Sequence, residues 1–463
     1  MKEILDLPIK EIYNAIIEKK ISSYQLVKII LDRIQSFNPS LNGLVQINED
    51  ILKEAKKADE RLNKGEYLGK LHGIPVTIKD SFDTSGIVST AGTLGRKDYI
   101  PDKDAEVVRR LKEQGALILG KTNTPELTLI FETDNIVYGR TNNPYDLERT
   151  SGGSSGGEAA MIASGCSILG IGSDTGGSIR LPAHNCGIAG LKPTYGRISR
   201  AGHIVSFGGV LDFMTQIGPM AKYIEDLEYL LPILSGYDAN DPSTVVNMPI
   251  YDSRDVDLST LRIAYFIDNG ILTPSKDTID VIKEGAMVLK NIVSSVDQDL
   301  PSYIEYTDRV YGKIFASDGG KWVRKILDKY NTKEIHQSLK WAFTQNKGIS
   351  AEELSELLYM KDKIRANMAI FMDSYDVILC PVNAYPAMKH GEASNKENRR
   401  AYSYTKTFNL TGNPVVTVRC GTSSDGLPIA IQVVARHFRE DIAFAVAKKL
   451  EDIFGGWVKP FYY

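Results

Sequence analysis

Residues 151–157 read Ser151-Gly152-Gly153-Ser154-Ser155-Gly156-Gly157, and residues 172–180 read Gly172-Ser173-Asp174-Thr175-Gly176-Gly177-Ser178-Ile179-Arg180. Between them lie a helix-like segment, 158–164, and a short apolar run, 167–172, that feeds the second loop. A succession of loop, helix, strand and loop predicts α/β architecture. The same alternation continues outward. Strand-like runs stand at 76–79 and 116–120, with a helix at about 105–114 between them. Farther on, 261–266 reads as a strand, 277–293 as a helix, 350–372 as a long helix, 377–380 as a strand, 414–418 and 429–434 as strands, and 441–453 as a final helix. Residues 1–65 read as helices: Ile12, Ile16 and Ile17 form one stripe, and Ser22-Ser23-Tyr24-Gln25 is a capping-box pattern. The segment 143–150 reads as polar and turn-like.

The two glycine-rich loops carry Ser154 and Ser178, and a lysine closes the apolar run Gly73-Ile74-Pro75-Val76-Thr77-Ile78-Lys79-Asp80. Lys79 and Ser154 are 75 residues apart, and Ser154 and Ser178 are 24 apart. A serine hydroxyl is a weak nucleophile until a base removes its proton. A lysine is that base only when neutral, a state favoured by burial or by a nearby positive charge. A second serine, donating and accepting at once, can bridge nucleophile and base. Attack on an amide carbonyl makes an oxyanion that needs preorganised N–H donors. The Thr175, Gly176, Gly177 and Ser178 backbone is the candidate nest, since glycines let it approach a substrate closely. Asp174 and Arg180 flank that turn with opposite charges and are expected to hold its shape.

These motifs, together with Gly187-Ile188-Ala189-Gly190-Leu191-Lys192-Pro193-Thr194, resemble the amidase signature family, and the two spacings agree with it. The resemblance is densest from about 71 to 219 and resumes at Phe408-Asn409-Leu410-Thr411-Gly412-Asn413-Pro414. It implies a large domain with a central mixed sheet covered by helices on both faces. It also implies a Ser-Ser-Lys triad: Ser178 as nucleophile, Ser154 as bridge after a cis peptide bond, and Lys79 as base and then acid. The oxyanion donors map onto Thr175–Ser178, and Ser155 is a supporting hydrogen-bond partner. Four divisions of one domain are expected: N-terminal helices at 1–65, the signature core at 66–235, a variable substrate-side region at 236–400, and C-terminal strands and helix at 401–463. No cofactor or metal is implied.

Composition bounds the rest. The 463 residues are 43% hydrophobic and 24% charged with a formal net charge of −3, enough for one large core and with no basic run inviting nucleic acid or a membrane surface. Cys166, Cys186, Cys380 and Cys420 are scattered without metal spacing, so free buried thiols are expected. His184-x-Cys186 is half a metal motif without a second half. The first residues lack a signal-peptide core, and no apolar run approaches the ~20 residues of a membrane span, so a soluble cytoplasmic protein is expected. A homodimer stays open.

Two rival readings fit the loops less well. No GxxxxGK[ST] surrounds them, which argues against a phosphate cradle. Ser154 and Ser155 each fit G-x-S-x-G, the nucleophile elbow, but no apolar strand precedes them and His203, His336, His390 and His437 sit in no compelling motif. The aromatic stretch Tyr303, Tyr306, Tyr311, Phe315, Trp322, Trp341 and Phe343 is core or acyl pocket, and Thr128, Leu129, Ile130 and Phe131 are candidate pocket residues. The expected activity is hydrolysis of a small-molecule carboxylic amide by a stand-alone amidase. The alternatives are the glutaminase component of an aminoacyl-tRNA amidotransferase, where nucleic acid would enter through the complex, and a catalytically silent binding protein. Asn123-Thr124-Pro125-Glu126 and Trp457-x-Lys459-Pro460 look stand-alone. Tyr402 falls where the glutaminase components carry an acid for the substrate amine, whereas Tyr195-Gly196-Arg197 and Asp146-Leu147-Glu148-Arg149 suit those components.

Overall fold

In the computed structural model, residues 2–460 are described, apart from 205–208, 247, 345–346 and 396. Thirteen strands are present among them: β1 (Leu44–Ile47), β2 (Pro75–Lys79), β3 (Leu117–Thr122), β4 (Asn142–Asn143), β5 (Asp146–Thr150), β6 (Leu169–Asp174), β7 (Ala189–Lys192), β8 (Gln216–Ala221), β9 (Arg262–Tyr265), β10 (Ser295–Gln298), β11 (Val377–Pro381), β12 (Val415–Thr422) and β13 (Pro428–Ala435). Eleven form one mixed sheet in the order β1-β3-β2-β6-β8-β7-β12-β13-β11-β9-β10. Strands β3, β2 and β6 run parallel side by side, and β6 then pairs antiparallel with β8. At the far edge β11, β9 and β10 are again parallel. The expected single α/β domain with helices on both faces is the fold observed.

Strand β2 shows how the sheet is sorted. All five of its residues are buried, and successive side chains go to opposite faces. Val76 and Ile78 join a large apolar cluster with Ile9, Ile12, Ile16, Leu26, Val27 and Ile30 from the N-terminal helices. Thr77 and Lys79 go to the other face, where the helix Gly156–Ala163 lies. The capping box at Ser22 forms as the sequence predicts, starting the helix Ser23–Leu41.

The structure departs from the sequence reading in several places, of which these bear on the site and its sheet. The first 65 residues are not all helical, because β1 pairs antiparallel with β3. The 143–150 segment is not merely a turn but carries the β4–β5 hairpin. Strands β7 and β8 and the helix Ile224–Leu234 fill a stretch whose pattern announces no element.

Candidate active site

The parallel strands β2 and β6 deliver the site. Lys79 ends β2, is fully buried, and donates from Nζ to Ser154 Oγ at 2.7 Å and to Ser173 Oγ at 2.8 Å. Burial pushes its ammonium well below the usual lysine range, against the pull of Asp174 and Glu158. A neutral amine has two N–H bonds and one lone pair. Between two hydroxyls it can therefore donate to one and accept from the other.

Ser154 stands in the loop between β5 and the helix Gly156–Ala163, after a cis Gly153–Ser154 bond. Its carbonyl accepts from Thr124 Oγ1 at 2.9 Å. A Cβ on Gly153 would lie 2.7 Å from Ile130 O and Glu132 N, so only glycine lets the loop pack against that segment. Ser155 N–H donates to Ser178 O at 3.1 Å, and Ser155 Oγ sits 3.4 Å from both the N–H and the carbonyl of Ser173.

Asp174 shapes the nucleophile loop. Its carboxylate accepts from Gly177 N–H at 2.8 Å, Ile179 N–H at 3.1 Å, and Arg180 Nε and Nη2 at 3.0 and 2.9 Å. Both partners of this ion pair are fully buried. Burial alone would raise the Asp174 carboxyl; Arg180 more than reverses that and holds it well below the carboxylate range. Asn409 braces the pair from the C-terminal part of the chain, donating from Nδ2 to Asp174 Oδ1 at 2.9 Å and accepting from Arg180 Nη2 at 2.6 Å. Thr405 Oγ1 donates to Gly176 O at 2.7 Å. The loop-shaping role expected of Asp174 and Arg180 fits this geometry.

The donor set for an oxyanion needs one revision. Gly177 N–H already donates to Asp174, so it leaves the expected group of four. Thr175, Gly176 and Ser178 N–H have no hydrogen-bond partner among the described residues. The expected bridge is also open: the Ser154 and Ser178 hydroxyls are not hydrogen-bonded to each other, and Ser154 Oγ is held by Lys79.

Ser178 lies at the wall of a cavity of about 300 Å³. Thr128, Leu129, Ile130 and Phe131, the candidate pocket residues, all line it. Of the aromatic stretch, Tyr311 and Phe315 line it too. Trp322 and Phe343 instead face a small neighbouring cavity, and the side chain of Trp341 lies outside the described residues. Sequence reasoning missed the polar residues of the pocket, Asp308, Arg399, Arg400 and Lys406. Lys406 Nζ pairs with Asp308 at 2.6 Å. Tyr402 is buried behind the pocket, stacked on Phe131 at 4.1 Å between ring centroids. Ser173 was also missed, although it stands inside the quoted motif.

His184 and Cys186 belong to the core. The His184 ring nitrogens meet Tyr385 O and Ala430 N–H, burial pushes the ring pKa down to about 4, and all four cysteines are buried free thiols. No cluster of three metal-ligating side chains exists among the described residues, and no described helix is long and apolar enough to cross a membrane.

Residues 25–443 match the sequence model of the family described as Amidase. A glutamyl-tRNA(Gln) amidotransferase A-type subunit of Clostridium acetobutylicum is 34% identical, over 97% of this chain and 99% of that one. Among solved structures, fatty acid amide hydrolase is 25% identical with a TM-score of 0.88, covering 99% of this chain and 86% of the other. The A-type subunit of the Thermotoga maritima glutamyl-tRNA(Gln) amidotransferase is 27% identical with a TM-score of 0.82, covering 99% and 98%. These relatives do not support the expectation of a stand-alone amidase over an amidotransferase component.

Proposed function

The chain belongs to the Amidase family of amide-hydrolysing enzymes, and we propose that it releases ammonia from a carboxamide through an acyl-enzyme on Ser178, as the glutaminase component of an aminoacyl-tRNA amidotransferase. The observation that carries the chemistry is Lys79, buried, pushed toward neutrality, with Nζ 2.7 Å from Ser154 Oγ. Rotation of the Ser178 hydroxyl toward Ser154 closes the bridge. Ser154 then passes its own proton to Lys79 while accepting that of Ser178, and Ser178 Oγ attacks the carbonyl. Thr175, Gly176 and Ser178 N–H receive the oxyanion. Lys79 returns the proton through Ser154 to the leaving nitrogen, the C–N bond breaks, and water clears the ester by the reverse route. The amidotransferase reading draws on the relatives, which share a third of their residues with this chain over nearly its whole length.

A specific observation favours a second reading, an amidase that works alone on an apolar acyl amide. The cavity beside Ser178 is walled by Leu129, Ile130, Phe131, Tyr311 and Phe315. No acid stands at Tyr402, and the one carboxylate among the described residues of the pocket wall, Asp308, is already neutralised by Lys406. Neither feature suits the ammonium group of glutamine. Labelling with a fluorophosphonate, peptide mapping, and ammonia release from glutamine and from an arylalkyl amide test both. An adduct on Ser178 with turnover of glutamine supports the amidotransferase reading. Turnover of the apolar amide alone supports the second, and an adduct on Ser154 or Ser155 overturns the mechanism. A chain that takes no label and turns over neither amide, with or without partner proteins, is a silent binding protein.

A further inference from the structure

Directly under the proposed base lies a carboxyl group that the mechanism does not use. Glu158, in the first turn of the helix Gly156–Ala163, is fully buried. Its Oε2 accepts from Thr77 Oγ1 at 2.6 Å, and its Oε1 has no hydrogen-bond partner among the described residues. Thr77 and Lys79 are two apart on β2, so they share the face that Glu158 meets. The slot is cut to fit: a Cβ on Gly170, in β6, would lie 1.9 Å from Glu158 Oε2.

We infer that Glu158 carries its proton at neutral pH and so does not hold Lys79 as an ammonium. The inference rests on the Ser178–Lys79 reading above. Neither Glu158 oxygen is held by a cation, and an ionised carboxylate buried without one gives up its charge by taking a proton. The charged groups nearest this volume stand on three strands. Asp174 on β6 is neutralised by Arg180. Lys121 on β3 spends Nζ on Phe82 O, on Thr84 Oγ1 at 2.9 Å and on Ser89 Oγ at 3.1 Å, turned from Glu158. Lys79 on β2 is the third. With Asp174 already matched, Glu158 is the remaining carboxylate among the described residues whose ionisation would favour the Lys79 ammonium. Burial raises its carboxyl to about 8, against the opposing hydroxyls of Thr77 and Thr122 and then the charges of Lys79 and Lys121.

The test is Glu158→Gln, read by infrared difference spectroscopy and by the pH profile of kcat. A carbonyl stretch of a protonated carboxylic acid, present in the wild type at pH 7 and absent from E158Q, is expected, and so is an acid limb of kcat that stays where it was. The inference is overturned if the wild type lacks that band, or if E158Q moves the acid limb down by about one pH unit, a tenfold change in proton affinity. That movement would mean an ionised Glu158 had been holding the lysine proton. Should E158Q not fold, Thr77→Val serves instead. It removes the donor to Oε2, so the wild-type band must shift; an unmoved band assigns it elsewhere and overturns the inference. Lys79→Met, run alongside, separates the two ideas: an active K79M sinks the Ser178–Lys79 mechanism, while the infrared band still reports the protonation of Glu158.

Discussion

Replacing Lys79 by methionine should remove most of the activity and, at the same time, make the protein harder to unfold at neutral pH. Methionine is unbranched and of similar length, so it fills the lysine slot at the end of β2 without a large cavity. General acid–base catalysis contributes about 10²- to 10⁴-fold, and in the proposed mechanism Lys79 serves both halves of the proton transfer. The expected fall in kcat is therefore about 10²- to 10⁴-fold, or ~2.7–5.4 kcal/mol of barrier. The stability change has the opposite sign. Burial lowers the Lys79 pKa in the folded state, so the unfolded chain binds a proton that the folded chain has shed. Stability then rises with pH from the folded pKa up to the unfolded value of ~10.4, and below that window the buried lysine works against folding. Exchanging buried ionisable groups for apolar ones of like volume often gains about 1–4 kcal/mol. Here Ser154 and Ser173 each lose a donor, which takes back roughly 1 kcal/mol. A net gain of up to about 3 kcal/mol at pH 7, shrinking toward pH 10, should appear in urea unfolding followed by fluorescence and circular dichroism. A K79M protein within tenfold of wild-type kcat, or one less stable at pH 7 than at pH 10 by the wild-type margin, refutes the reasoning.

The remaining expectations concern the same loop. Wild-type activity should fall as pH drops and Lys79 takes up its proton; a flat profile with chemistry shown to be rate-limiting contradicts a neutral base. Arg180→Met strands the Asp174 carboxylate in the core and should cost about 3–5 kcal/mol in urea unfolding. The Asp174 carboxyl is depressed in the folded state, so its contribution is present above the unfolded carboxylate pKa of ~3.9 and lost as pH falls through the folded value. R180M should therefore acid-unfold at a higher pH than the wild type, and equal acid midpoints would count against the pairing. Gly177→Ala puts a side chain on backbone at φ 126 and a Cβ 2.4 Å from Thr405 Oγ1. A cost of about 1–3 kcal/mol is expected, with at least a tenfold loss of kcat in steady-state assays.

Sequence patterns reveal the parts of the fold whose signals are local. The strand ending in Lys79 shows itself by β-branched residues, and the capping box at Ser22 by its four residues. Strand β8 hides because Gly218 and Pro219 interrupt it, and a proline argues against a place in mid-sheet; it nonetheless lies between β6 and β7. Strand β1 hides in a run of helices because four residues have no period of their own. In the site, Lys79, Ser154 and Ser178 are readable because motif and spacing agree. Ser173 and Glu158 are not, because their meaning lies in a neighbouring strand and a covering helix that meet the Lys79 face of β2 only in the fold. Asp308 and Lys406 are 98 residues apart and meet only once the sheet and its helices have assembled.

The three candidate reacting residues all lie within the first 180, yet the loop that carries Ser178 is tied down by Thr405 and Asn409, more than two hundred residues later. A ribosome-bound chain that has not yet released its last helices holds the triad without the brace. Such a chain should be chemically silent, and so should a protein truncated before residue 403. Activity would thus report that the helix Ser403–Thr411 has been made and has folded back onto the Ser178 loop.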